Sequence, residues 1–365
     1  MGGNSLGREF ISTVFGESHG KCVGVVVDGC PAGVELKEAD IQFELDRRIP
    51  RASSLTSSRI EKDKVEILSG VFHDKTTGAP IAMIVRNRDI DSQPYERLRD
   101  IPRPGHADYP ARIRYGGLND YRGGGQFSGR TTVALVMAGA VARKVLRKSG
   151  INVLSHTLSI GSCNSDPALT RKELLESAYS NPVRCCDSVA ASQMEKEIDK
   201  AAASGDSLGG VVEAVVYGVP AGIGEPLFGA IDSELAGALF CIPAVKGVEF
   251  GSGFRATRSK GSENNDPIVT RDGKVEFEGN RSGGVLGGLS TGQEIIIHVA
   301  FKPTPSIRRK QRSVNLESME TTELEVTGRH DPCVVPKAVP VVQSVVSIVL
   351  ADLMIRSGAI GKVFR

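Results

Sequence analysis

The sequence predicts an α/β (α+β) fold built on an internal repeat, and three observations carry that expectation. Short valine- and isoleucine-rich runs bounded by glycine or proline recur as strand candidates along the chain. Other stretches place apolar residues at helical spacing and end at glycine or proline. Residues 16–33, GESHGKCVGVVVDGCPAG, are echoed by residues 205–222, GDSLGGVVEAVVYGVPAG, at a constant offset of 189.

Taken in order, residues 22–29 (CVGVVVDG) read as a buried strand ending in a turn at Gly29, Cys30 and Pro31. Ile41, Leu45 and Ile49 predict a helix that stops before Pro50. Residues 64–72 (KVEILSGVF), 80–87 (PIAMIVRN), 151–161 (INVLSHTLSIG) and 293–301 (QEIIIHVAF) read as strands. After Gly129, a helix carries Val133, Val136, Met137, Ala140 and Val141 on one face and stops at Gly150. Another covers about residues 193–203. The apolar run 338–351 is 14 residues long and holds Pro340 and Gln343. It falls short of the roughly 20 residues a bilayer needs, so it reads as a buried helix. No segment is linker-like, which predicts one domain over 1–365 with repeat halves of roughly 1–190 and 191–365. A second echo, RGGGQFSG (122–129) against RSGGVLGG (281–288), supports an ancient duplication, although glycine-rich segments also resemble one another by chance.

Composition narrows the function. An apolar fraction of 40% with 24% charged residues is that of a globular chain rather than a disordered one. Aromatics are only 5%, tryptophan is absent and net charge is +2, which speaks against a nucleic-acid partner. Any anion must therefore be gripped by local basic clusters. Seven cysteines form no C-x-x-C pair and six histidines show no ligand spacing, so neither a disulfide framework nor a metal is expected. The first residues carry no secretory or myristoylation signal, and a cytoplasmic protein without a membrane partner is expected.

Several motifs join basic or imidazole groups to glycine. GESHG (16–20) sets Glu17, Ser18 and His19 between glycines, either to approach a ligand closely or as a turn with an exposed histidine. Ser18 and His19 are not a hydrolase pair, since sequence neighbours generally point apart. Arg47, Arg48, Arg51 and Arg59 can grip phosphate or carboxylate, or form a solvated basic edge. RPGHAD (103–108) puts His106 in a rigid turn, and DYRGGGQFSGR (120–130) feeds the long helix. Arg130 there opposes the helix dipole, so it suits a ligand better than the helix; a flexible loop is the alternative. Residues 302–312 hold five basic groups and no acid, matching an anionic group such as a cofactor phosphate, or a basic surface loop. In GRHDPCVVP (328–336), Asp331 beside Arg329 and His330 is a candidate acid–base group or an ordinary ion pair. His73, His156 and His298 lie in or beside strand-like runs, where a packing role is expected.

The order GESHG, DRRIP, SGVFHDKTTGAPI, RPGHADY, RGGGQFSGR, GVPAGIGEP, AVKGVEFG, SGGVLGGLSTG, FKPTPSI and GRHDPCVVPKAVPVV resembles the chorismate synthase family from about residue 16 to 342. The resemblance implies helices sandwiched between antiparallel sheets with pseudo-two-fold symmetry, and a homotetramer. It implies a 1,4-anti elimination of phosphate from 5-enolpyruvylshikimate 3-phosphate to give chorismate. Reduced FMN would be the cofactor, with no net redox change, and NADPH a candidate flavin reductant. By position, His19 resembles the residue that protonates the leaving phosphate, His106 the one that stabilises reduced flavin, and Asp331 an aid to proton removal. Arg48, Arg130 and Arg329 resemble anion-binding positions for substrate or NADP. Gln126, Phe127, Ser128, Gly287, Lys302, Pro303, Thr304, Pro305, Ser306 and Arg329 resemble an FMN cradle. The chain departs from the common bacterial pattern at Gln126-Phe127, which replaces Arg-Ser, and at Ser54, Pro243 and Gln343. A flavin oxidoreductase with net hydride transfer and an RNA-binding protein are the rival readings.

Overall fold

The computed structural model describes residues 3–49, 63–88, 92–166, 177–326 and 331–364. Arg51, Ser54, Arg59, Arg329 and His330 lie outside these residues.

The first sheet is made from β1 (Ser5–Leu6), β2 (Ile11–Gly16), β3 (Cys22–Asp28), β4 (Val65–Ile67) and β5 (Ile81–Arg86), in the order β1-β2-β3-β5-β4. The second is made from β6 (Asn152–Ile160), β7 (Cys163–Asn164), β8 (Gly210–Tyr217), β9 (Val245–Phe250) and β10 (Ile295–Phe301), in the order β7-β6-β8-β10-β9. Every pairing in both is antiparallel. Helix α1 (Glu38–Arg48) follows β3. Short α2 (Asp108–Tyr115) and long α3 (Thr132–Lys148) follow β5. Then α4 (Ser188–Ala203) precedes β8, α5 (Ile231–Leu239) follows it, and α6 (Val335–Arg356) comes after β10.

The two sheets thus repeat one connection pattern. β2, β3, β4 and β5 take the places of β6, β8, β9 and β10; α1 and α5 sit at matching points, and a long helix closes each set. The echoed segments supply β3 and β8, the middle strand of each sheet. The second echo shares positive φ at Gly124 and Gly125 and at their counterparts Gly283 and Gly284, but the surrounding chain differs. Residues 122–127 form a tight glycine turn before α3, whereas 285–290 form a two-stranded hairpin.

Period-two burial explains the strands. In β10, Ile295, Ile297, Val299 and Phe301 are buried while the residues between them are only partly so. Such a face must be covered. Helix α3 packs on β2, β3 and β5, α6 packs on β6 and β8, and the two helices pack on each other. The result is a sheet–helix–helix–sheet sandwich, the arrangement expected from the sequence. Contact between the helices is close at Gly139, where an added Cβ would lie 2.2 Å from Ser344 Cβ. At the far end, Asp352 Oδ1 accepts the backbone N–H groups of Arg8, Glu9 and Phe10 at 2.7, 2.6 and 2.9 Å, tying the first strands to α6.

Two expectations change. The run 64–72 is not one strand: β4 ends at Ile67, and Val71–Phe72 pairs instead with Lys75–Thr76 around a turn where His73 and Asp74 have positive φ. Helix α6 spans 22 residues rather than 14, so by length and apolarity it could cross a bilayer. Length does not decide its place; burial does, because its most apolar window is wholly covered, with α6 packed on the second sheet and on α1, α3 and α5.

Candidate active site

The triple glycine organises the site. Gly123, Gly124 and Gly125 all have positive φ, a backbone that L side chains rarely adopt. An added Cβ at Gly123 would lie 2.2 Å from His19 Cε1 and Nδ1 and 2.6 Å from Ser18 Oγ. At Gly124 it would lie 3.3 and 3.4 Å from His106 Cε1 and Nε2. At Gly125 it would strike the Asp120 carbonyl at 2.1 Å. Two imidazoles distant in sequence therefore rest on adjacent residues of one loop. His19 is buried, held edge-on by the Tyr95 ring at 5.2 Å, and its loop is pinned where Ser18 N–H donates to the Gly125 carbonyl at 3.2 Å. The exposed-turn alternative for GESHG does not describe it.

His106 sits in a polar knot. Its Nδ1 is 2.6 Å from Asp108 Oδ1. Arg103 donates Nε to Asp108 Oδ2 at 2.7 Å and Nη2 to Oδ1 at 2.8 Å, and Nη2 also lies against both ring nitrogens of His106. Burial alone would raise the Asp108 carboxyl; the hydrogen bonds and charges of Arg103 and His106 outweigh it and hold the group far below the usual carboxylate range. Arg103 Nη1 donates to Ser306 Oγ at 3.1 Å, and Lys302 Nζ donates to the Gly105 carbonyl. The RPGHAD turn and the 302–306 loop are thus one unit. Beside it opens a surface cleft of about 510 Å³ lined by Arg103, His106, Tyr109, Arg312 and Thr321.

The echoed segments hold equivalent loops. GESHG lies under the triple glycine; GDSLGG lies under residues 302–306, with Ser207 Oγ donating to the Thr304 carbonyl at 2.7 Å and Pro303 Cδ 3.1 Å from where a Gly209 Cβ would be. Leu208, the counterpart of His19, pairs with Cys333, and its N–H donates to the Pro332 carbonyl at 2.8 Å. That contact sets the segment carrying Asp331.

The basic groups converge on a carboxylate that sequence reading missed. Arg48 Nη1 is 3.5 Å from Asp63 Oδ2, and Arg130 Nη1 donates to Asp63 Oδ1. Arg48 also donates to Thr132 Oγ1 at 3.1 Å and the Gly129 carbonyl at 3.2 Å. Arg130 Nε donates to Asn87 Oδ1 at 2.9 Å, and Asn87 Nδ2 donates to the Glu17 and Gly20 carbonyls at 3.0 and 2.8 Å. One chain of contacts thus runs from α1 through Asp63 and Asn87 to the His19 loop. Asp331 accepts Lys337 Nζ at 2.7 Å on both oxygens. Burial pushes the Lys337 ammonium down, Asp331 opposes this, and the charges of Arg48 and Arg184 add to it, which puts these groups in one electrostatic neighbourhood.

Not every candidate joins. Ser128 Oγ accepts the Arg130 N–H at 3.2 Å as a helix cap, and the Phe127 ring tilts against Tyr115 at 6.4 Å. Gln126 is half-buried next to Gly125. Gly287 turns the 285–290 hairpin, whose neighbours are Gly224, Glu225 and Ala230 rather than the histidine loop. His156 and His298 do more than pack: each donates Nε2–H to Glu213, at 3.0 and 2.8 Å, across the middle of the second sheet. Among the described residues no group of three or more His, Cys, Asp or Glu is placed to hold a metal ion.

Fold and site together define a two-sheet α/β protein with a basic, imidazole-bearing glycine loop, the class of an enzyme with a small-molecule substrate. The chorismate synthase family model matches residues 10–355. A chorismate synthase of Korarchaeum cryptofilum (strain OPF8) is 54% identical over 357 residues, covering 98% of this chain and 99% of that protein. One from Methanopyrus kandleri (strain AV19) is 54% identical over 362 residues, covering 97% and 93%. A crystal structure of a chorismate synthase matches with a TM-score of 0.77 at 32% identity, covering 96% of this chain and 93% of the other. The chain belongs to the chorismate synthase family.

Proposed function

We propose that this chain converts 5-enolpyruvylshikimate 3-phosphate to chorismate and phosphate by 1,4-anti elimination, acting as a carbon–oxygen lyase with reduced FMN. The observation that carries the reading is the triple-glycine loop, where missing side chains leave room for His19 against Gly123 and His106 against Gly124, with a chain of arginine contacts reaching the His19 loop. The residues fit the flavin. Thr304 Oγ1 is a buried hydroxyl without a hydrogen-bond partner among the described residues, in a loop that also presents Lys302 and Ser306, as suits a phosphate subsite.

When bound, reduced FMN supplies transient electron density and a nitrogen able to take a proton, without net redox change. The chain's own groups do the rest. Arg48 and Arg130, held rigid by Asp63, bind the substrate's phosphate and carboxylates. His19 delivers a proton to the departing phosphate, and its burial keeps that proton from bulk water. His106, resting against Gly124, would stabilise the reduced cofactor. Asp331, paired with Lys337, lies just before α6, and Lys302 to Ser306 would hold the cofactor's phosphate. The same reading carries NADPH as flavin reductant, a homotetrameric assembly and a cytoplasmic location.

The test is an anaerobic assay with photoreduced FMN, following phosphate release from the substrate. Phosphate release with catalytic rather than stoichiometric reduced flavin is expected. Consumption of reductant in step with product would establish the oxidoreductase instead.

A further inference from the structure

We propose that Asp108 is a positioning residue that fixes His106 in the tautomer protonated at Nδ1, so that Nε2 is the ring atom presented to the triple-glycine loop. The proposal rests on the reading of His106 as a residue of the reaction, and it is carried by geometry that the reading itself does not supply.

Asp108 is saturated with donors. Oδ2 accepts the Arg103 backbone N–H at 3.0 Å and Arg103 Nε at 2.7 Å; Oδ1 accepts Arg103 Nη2 at 2.8 Å and faces His106 Nδ1 at 2.6 Å. The carboxylate is acceptor only, so the ring nitrogen at 2.6 Å must carry a hydrogen. The side chain is mostly buried, which keeps water from substituting for either partner. Position matters as well: Asp108 opens α2, where a negative charge is favoured by the helix N-terminus and the carboxylate has a rigid base. The other ring nitrogen is then an acceptor, with Arg103 Nη2 at 3.2 Å on one side and the loop on the other. Nε2 lies 3.4 Å from the point a Gly124 Cβ would occupy, toward the loop surface kept open by glycine.

The arrangement ties His106 to the 302–306 loop. Arg103, gripped by the same carboxylate, reaches Ser306 with its remaining nitrogen. Asp108 therefore sets the imidazole and the loop beside it with one side chain.

The isosteric change Asp108→Asn separates this role from a purely structural one. An amide has one oxygen and one NH2. On the Oδ2 side an NH2 would face two Arg103 donors that cannot change. On the Oδ1 side it would face a single fixed Arg103 donor and His106, which can switch tautomer and accept. The NH2 is therefore expected at the Oδ1 side, driving His106 to the Nε2–H form. Nitrogen NMR of histidine-labelled protein, with His106→Gln to assign the signal, reads this directly and without turnover. The expected result is a pyrrole-like Nδ1 and pyridine-like Nε2 in the native chain, exchanged in Asp108→Asn, with turnover lowered by about tenfold to a hundredfold. Asp108→Glu is the second variant, keeping an acceptor-only group and the native tautomer. An Nε2–H ring in the native chain, or an unchanged tautomer in Asp108→Asn, overturns the proposal. A native chain that shows the predicted tautomer but releases no phosphate from the substrate would overturn the functional reading instead.

Discussion

Arg184 supplies the hydrogen bond that Pro340 withholds from α6. Pro340 lies inside the helix and has no N–H, so the carbonyl of Pro336, four residues earlier, loses its helical partner. Arg184 Nη1 donates to that carbonyl, and Nη2 donates to the Arg47 carbonyl in the last turn of α1, another group the helix itself cannot satisfy. This accounts for a buried arginine that has no carboxylate within ion-pair distance among the described residues. Burial lowers its pKa to about 10, which leaves it charged at neutral pH. Arg184→Met should cost about 1–3 kcal/mol for each carbonyl left unserved. With Pro340→Ala in place, the new N–H can reach the Pro336 carbonyl, and the cost should fall by about 1 kcal/mol. Urea denaturation of the four proteins of the cycle measures this; additivity within about 0.5 kcal/mol would dismiss the coupling.

Gly123→Ala should damage the site without damaging the core. Its methyl would overlap the His19 ring on a backbone already at φ +57°. Displacement of His19 by about 1 Å should cut turnover by about a hundredfold. Gly237→Ala, in α5 with open space around it, is the control; it should leave turnover unchanged and raise stability by about 0.5–1 kcal/mol. Equal losses from both variants would show that the loop has no special role.

His19→Ala should lower turnover by about a hundredfold to ten-thousandfold, the range of general acid–base groups, while FMN affinity stays nearly intact. Strong loss of flavin binding, read by fluorescence titration, would contradict the assignment. Arg48→Ala should weaken substrate binding. An unchanged Michaelis constant together with an unchanged rate would count against it.

Acid sensitivity should trace in part to Glu213. Burial would raise this carboxyl, but hydrogen bonds from His156 and His298 and then their charges outweigh it, lowering the pKa from 4.5 to about 2. A carboxylate with a depressed folded-state pKa stabilises the fold above its unfolded pKa, and loses that contribution as pH falls through the folded value. The loss should therefore run from about pH 4.5 down to about 2. Glu213→Gln should flatten the stability profile across that window, at the expense of stability near neutrality. An unchanged slope in acid denaturation would remove Glu213 from the account.

Much of the fold was legible because hydrophobic period reports which faces are covered. Val23, Val25 and Val27, or the alternation of β10, need only a partner surface to become strands. The glycine motifs were legible for a similar reason, since three successive glycines signal a backbone that other residues resist. Asp63, Asn87 and Lys337 left no such trace. Each works through a partner far along the chain, and a single acid or amide in sequence carries no mark of what it will meet. His156 and His298 were misjudged for that reason too: the carboxylate between them belongs to a third strand.

By itself the sequence determined many of the elements, the repeat, the basic and imidazole inventory and the resemblance to one family, because periodicity, glycine placement and motif order are local properties of the chain. Only the tertiary structure decided that His19 and His106 share one loop, that Arg48 and Arg130 share one carboxylate, and that α6 is a core helix rather than a membrane span. Those are long-range meetings, set by which faces the two sheets bury against the helices between them.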